Sequence, residues 1–94
     1  MDEWEVKHVS MWKCAGEEGE TGYGVSVALE LPFTDDTPPV LRLGMAVQFG
    51  LTTFTLDELF LARRERTWVA QLSAENLPFG LAVAFLNGWV RERV

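Results

Sequence analysis

Residues 77–94 read Leu-Pro-Phe-Gly-Leu-Ala-Val-Ala-Phe-Leu-Asn-Gly-Trp-Val-Arg-Glu-Arg-Val, the most apolar stretch of this 94-residue chain. At the helical step of about 100° per residue, one broad face of this stretch is apolar. That face contains Phe79, Ala82, Val83, Leu86, Trp89 and Val90. Leu81 and Phe85 lie on the opposite side, so little of the surface is polar. A helix that is apolar nearly all round is buried in a core or contacts a second chain. We therefore predict a central helix over about 77–93.

The same stretch has an alternative interpretation as a β-hairpin. The dipeptide Asn87-Gly88 is typical of a two-residue hairpin turn, and apolar segments flank it on both sides. The alanines favour helix, whereas the β-branched and aromatic residues around them favour strand. If the hairpin forms, residues 80–94 are β and the whole protein is mostly β.

The N-terminal half alternates apolar and polar residues, which is the period of a β-strand. We predict three strands, at about 3–14, 22–33 and 40–51. In the first, Trp4 and Trp12 share a face, which we expect to point inward. Short connections between successive amphipathic strands favour an antiparallel meander with one packed face.

A change of period follows the third strand. The sequence Thr55-Leu-Asp-Glu58 matches a capping box, and Phe54 and Leu59 occupy the two positions of a hydrophobic staple. These signals predict a helix over about 56–66 or longer. Residues 67–72 fit either its continuation or a fourth strand, and Asn76 fits the N-cap of the C-terminal helix. The predicted fold is therefore α+β, a single domain over 1–94 with the meander packed by two C-terminal helices.

The charge is negative and unevenly distributed. Residues 1–47 contain nine acidic and three basic residues, a net charge of −6, whereas the second half balances five acids with five arginines. Direct nucleic-acid binding is disfavoured, because it needs a basic surface. We predict instead an acidic patch that binds a basic protein. The patch comprises Glu17, Glu18, Glu20, Asp35 and Asp36.

Chemistry-bearing residues are few. Cys14 is the only cysteine and His8 the only histidine, which excludes an intrachain disulfide and every multi-cysteine metal motif. Six residues of extended strand separate these two residues by about 20 Å, too far for a Cys–His nucleophile pair. We expect no catalytic residues, no metal site and no cofactor. The acidic N-terminus is unlike a signal peptide, and the apolar run of the tail is too short to cross a membrane, so we expect a cytoplasmic protein.

Two classes of function remain open. The first is a non-catalytic protein-binding protein, in one form an acidic inhibitor or immunity-type binder of a basic partner. It would form a homodimer through the small and apolar residues on the far side of the tail helix. These residues are Gly80, Leu81, Ala84, Phe85 and Gly88. The second is a small-molecule-binding domain or small enzyme with an aromatic pocket, in which His8 or Tyr23 supplies the polar contact.

Overall fold

The computed structural model describes residues 4–15, 21–32 and 41–89, and this part of the chain is mostly β. Its five strands are β1 (Glu5–Ala15), β2 (Thr21–Pro32), β3 (Ala46–Phe49), β4 (Thr52–Ala62) and β5 (Thr67–Leu77). They form one antiparallel sheet in the order β1-β2-β5-β4-β3. A short helix, α1 (Phe79–Ala84), continues into a π-helical turn (Phe85–Trp89). The predicted α+β fold, a three-stranded meander packed by two helices, is therefore wrong.

The predicted helix over 56–66 is strand β4 followed by a hairpin loop. Thr55, the expected N-cap, lies opposite Ser73 of β5 on one side and Ala46 of β3 on the other. The capping-box pattern is therefore a coincidence of spacing. The open segment 67–72 belongs to β5, so it is strand and not helix.

A β-bulge explains why β4 resembles a helix in sequence. Leu56 pairs with Leu72 and Leu59 pairs with Ala70, so the four residues 56–59 of β4 oppose the three residues 70–72 of β5, and Asp57 has no opposite residue. A bulge inserts one extra residue into a strand. Leu56 and Leu59, which both face the core, are therefore three residues apart, and this is also the spacing of neighbouring residues on a helix face.

The predicted third strand over 40–51 contains two turns. The Met45 amide donates a hydrogen bond to the Arg42 carbonyl over 3.1 Å, with Gly44 at φ +85°. After the four residues of β3, Gly50 and Leu51 form a two-residue hairpin loop into β4. Gly50 has φ +65°, as a type II′ turn requires at its first central position.

The C-terminal helix exists but is shorter than predicted. The Ala82 amide donates to the Pro78 carbonyl over 3.0 Å at its start, and Gly88 at φ +107° interrupts its end. The alternative hairpin turning at Asn87–Gly88 is wrong, because the residues before that dipeptide are helical. Asn76, the expected N-cap, is instead a residue of β5 with φ +59°, at a register shift opposite β2. Residues 90–94 of the predicted helix lie outside the described residues.

The helix packs on one face of the sheet, which we call the inner face. The ring of Phe85 contacts that of Phe54 edge-on at 5.1 Å between centroids, and Phe54 contacts Phe49 in the same way. Burying each such side chain contributes about 1.5–3 kcal/mol. The buried apolar core comprises Trp4, Val25, Val27, Leu29, Phe49, Phe54, Leu56, Ala70, Leu72, Ala74, Ala82 and Phe85.

A second bulge reverses the expected orientation of β1. Val6 pairs with Leu29 and His8 with Ala28, so Lys7 is the extra residue. Trp4 is buried as predicted, but Trp12 is wrongly assigned to the inward face: it lies on the opposite side and is 39% exposed. From His8 onward, the side chains that the sequence predicts on the inner face, including Ser10 and Trp12, therefore lie on the opposite face.

Candidate functional site

The face of the sheet opposite α1, the outer face, carries polar side chains on β1, β2, β5 and β4. Cross-strand pairing aligns these side chains in three rows. The hydroxyl row consists of Ser10, Ser26, Ser73 and Thr55. The histidine row consists of His8, Ala28, Gln71 and Glu58. The glutamate row consists of Glu5, Glu30, Val69 and Phe60.

The hydroxyl row runs across four strands, β1, β2, β5 and β4. At about 4.8 Å between strands, it is about 14 Å long. Its residues are partly buried or exposed, and none is large. Short side chains leave the backbone of the sheet accessible to a closely packed surface, and hydroxyls both donate and accept hydrogen bonds.

Negative charge dominates the cross-strand pairs of the outer face. Glu5, Glu30 and Glu58 occupy paired positions there, and no lysine or arginine does so among the described residues. Lys7, the extra residue of the β1 bulge, has no paired position. Glu5 lies directly opposite Glu30, an arrangement of like charges that destabilises a sheet. A cation brought to this row would relieve that repulsion.

Two aromatic side chains lie at diagonally opposite corners of the outer face. Phe60 ends the glutamate row and is 43% exposed. Trp12 pairs with Gly24, and its indole occupies the space that a Cβ at Gly24 would need. The ring thereby covers a glycine that would otherwise leave the strand backbone open. Half-exposed aromatic side chains with polar surroundings are common at protein interfaces.

The residues predicted for self-association do not form an exposed patch. Gly80 is exposed and Leu81, Ala84 and Gly88 are partly buried, whereas Phe85 is fully buried against the sheet. Phe85 therefore faces its own chain in this structure. The predicted acidic patch of Glu17, Glu18, Glu20, Asp35 and Asp36 lies outside the described residues.

The two candidate polar contacts of a ligand pocket are on opposite faces. His8 is exposed on the outer face. Tyr23 is on the inner face, where its ring lies 5.2 Å from that of Phe79. They cannot line one pocket together. Within the described ranges, no three His, Cys, Asp or Glu side chains are grouped so that they could hold a metal ion.

The fold and the site define a small, mostly β protein whose single sheet is covered by a helix on one face. No protein-family model matches the chain, and comparisons with curated proteins and with solved structures find no match. No helix among the described residues has the length and apolar character needed to cross a membrane.

Proposed function

We propose that this is a non-catalytic binding protein that docks a basic protein surface on its outer face. The observation that supports this proposal is the acidic and polar character of a four-strand-wide sheet face that α1 leaves uncovered. The proposal includes action in the cytoplasm, where a lone cysteine such as Cys14 remains reduced.

Packing and charge both favour a protein as the ligand. The described buried core is on the inner face, so the short outer side chains are not needed to fill it. A partner can approach them closely and exchange hydrogen bonds with the hydroxyl row. Trp12 and Phe60 supply apolar contact area at two corners of this surface, and aromatic side chains are enriched at protein interfaces.

The carboxylates determine the class of partner. Glu5, Glu30 and Glu58 would attract lysine and arginine side chains, and the chain as a whole has a net charge of −6. Complementary charge raises the rate of association more than the final affinity. One form of the proposal is an inhibitor that occupies the basic nucleic-acid-binding surface of its target.

The test is capture of partners from a native lysate by the immobilised protein, at low salt and at about 0.5 M salt, where charges are screened within a few ångströms. The triple variant Glu5→Gln/Glu30→Gln/Glu58→Gln should lose the salt-sensitive basic partner. Glu30→Gln alone should weaken capture, and its matched control Glu65→Gln, in the exposed β4–β5 loop, should not. A triple variant that captures the same partner with the same salt sensitivity would contradict the proposal.

The stability of the variants provides a control, because the direction in which it should change is also predicted. Replacing Glu30 by Gln removes the repulsion from Glu5, so stability should rise by about 0.2–1 kcal/mol. Weaker capture by a variant that is at least as stable as the parent separates binding from folding. Loss of capture together with loss of stability would instead assign these carboxylates a structural role.

A further inference from the structure

Strand β1 is one edge of the sheet, and it has a free side in the described structure. It pairs with β2 along its length, and no described residue pairs with its other side. An edge strand presents unpaired backbone N–H and C=O groups that can hydrogen-bond to another strand. We propose that β1 of a second copy of this chain pairs there in antiparallel orientation, forming a two-fold dimer with a continuous ten-stranded sheet.

The side chains of β1 are self-complementary when the two-fold axis passes through Val9. Val9 then faces Val9 of the second copy, and His8 faces Ser10. If the extra residue Lys7 stays unpaired, the next pair along the two strands is Val6 of one copy and Met11 of the other. Val6, Val9 and Met11 are apolar inner-face residues that the single chain leaves only partly buried. Pairing would complete their burial, which is the main source of stability in such contacts.

Charged residues select this register over its neighbours. With the axis at Val9, Lys13 lies opposite Trp4 of the second copy, which its own chain already buries to 8% exposure, so Trp4 does not need to be covered by an apolar residue. An axis at Ser10 would place Lys13 opposite Val6, and an axis at Met11 would place it opposite Val9. Both alternatives set a charge against an apolar residue that needs to be covered.

The other edge of the sheet explains why assembly would stop at two chains. β3 has only four residues, and the segment before it is bulged. There the Gly44 amide donates to the Leu56 carbonyl, and the Leu56 amide donates to the Met45 carbonyl. Short and bulged edges resist pairing with further strands. A two-fold contact through β1 is also closed, since it uses the same surface on both chains.

The dimer would place both outer faces on one side of the extended sheet. A partner with two basic segments could then bind both at once, which raises avidity. The inference uses the edge of the sheet and not its outer face, so it is independent of the proposed function. Either can fail without the other.

The experiment combines mass measurement with disulfide trapping in the 94-residue chain. Light scattering should give twice the chain mass of 10.6 kDa. In a Cys14→Ser background, Val9→Cys should form a disulfide-linked dimer on mild oxidation, because directly paired Cα atoms are about 4.5–5.5 Å apart. Ser10→Cys is the matched control: its two copies would be about 8 Å apart in this register, too far for a disulfide. Gln48→Cys, exposed on the β3 edge, should also stay unlinked.

The measured mass tests whether the dimer forms, and the cross-links test its register. A monomeric mass for the unmodified chain at a concentration of several hundred micromolar overturns the dimer, whether or not the variants fold. A dimer that cross-links through Ser10→Cys but not through Val9→Cys overturns the register. Circular dichroism of each variant verifies that the sheet is retained.

Discussion

Phe85→Ala gives the most informative perturbation of the fold, because sequence and structure assign Phe85 opposite environments. The sequence places it on the far side of the tail helix, available to a second chain. The structure buries it completely, with its ring edge-on to Phe54 at 5.1 Å between centroids. Removing the ring therefore should act on folding and not on association.

The expected loss of stability follows from the complete burial of Phe85. Truncating a fully buried Phe to Ala typically costs about 3–5 kcal/mol, the sum of lost transfer free energy and the cavity left behind. A domain of this size has a total stability of about 5–14 kcal/mol, so the loss is a large fraction. Phe85→Leu keeps most of the volume and should cost about 1–1.5 kcal/mol. Leu86→Ala, the neighbouring residue at 42% exposure, should cost less than about 1 kcal/mol.

The assay is urea denaturation followed by circular dichroism, with the midpoint and slope compared among the three variants. The expected order of destabilisation is Phe85→Ala, then Phe85→Leu, then Leu86→Ala. A Phe85→Ala variant within about 1 kcal/mol of the parent would refute the packing of the helix on the sheet. A variant that stays folded but halves in mass would support the tail contact predicted from sequence.

Four further substitutions test local features by the same assay. Thr55→Val should change stability by no more than about 0.5 kcal/mol, because valine fits a strand, whereas at a helix N-cap it would cost about 1 kcal/mol. Gly24→Ala should cost about 1–3 kcal/mol, since its Cβ displaces the Trp12 indole, and an unchanged tryptophan emission would argue against that contact. Gly50→Ala should cost about 1–2 kcal/mol because φ is +65°, whereas Leu51→Ser at the exposed tip should be within about 0.5 kcal/mol of the parent.

Regular alternation in the sequence was sufficient to predict the first two strands. β1 and β2 end within two residues of the predicted 3–14 and 22–33. The face of β1 was wrong because alternation alone assumes an uninterrupted ladder. The bulge at Lys7 changes the phase, and its signal in the sequence is the step of three from Val6 to Val9.

The second half of the chain was mispredicted because local signals outweighed long-range pairing. Thr55 and Glu58 satisfy the spacing of a capping box, but β4 lies between β3 and β5, and their hydrogen bonds decide its conformation. The hairpin at Gly50–Leu51 lacks the Asn-Gly or Asp-Gly signature, so the turn was hidden within an apparent strand. The tail helix exists as predicted, but its predicted buried face is wrong: Phe79 and Leu86 are 58% and 42% exposed, whereas Phe85, assigned to the far side, is fully buried.

The outer face could not have been identified from sequence alone. Its rows bring together residues from four strands, and β2 pairs with β5, which is not its neighbour in sequence. The hydroxyls of Ser26 and Ser73 are 47 positions apart in the chain and directly opposite in the sheet. Individually, such residues are typical of any solvated strand. Only the strand order makes them one surface.

The central claim is that the outer face is the binding surface, and chemical-shift mapping tests it most directly. The isotopically labelled protein would be titrated with the basic partner recovered by capture, and backbone amide shifts would be followed for each residue. The account predicts the largest changes at Ser26, Gln71 and Ser73 in the centre of the outer face. Changes confined to α1, with the central strands unaffected, would contradict it.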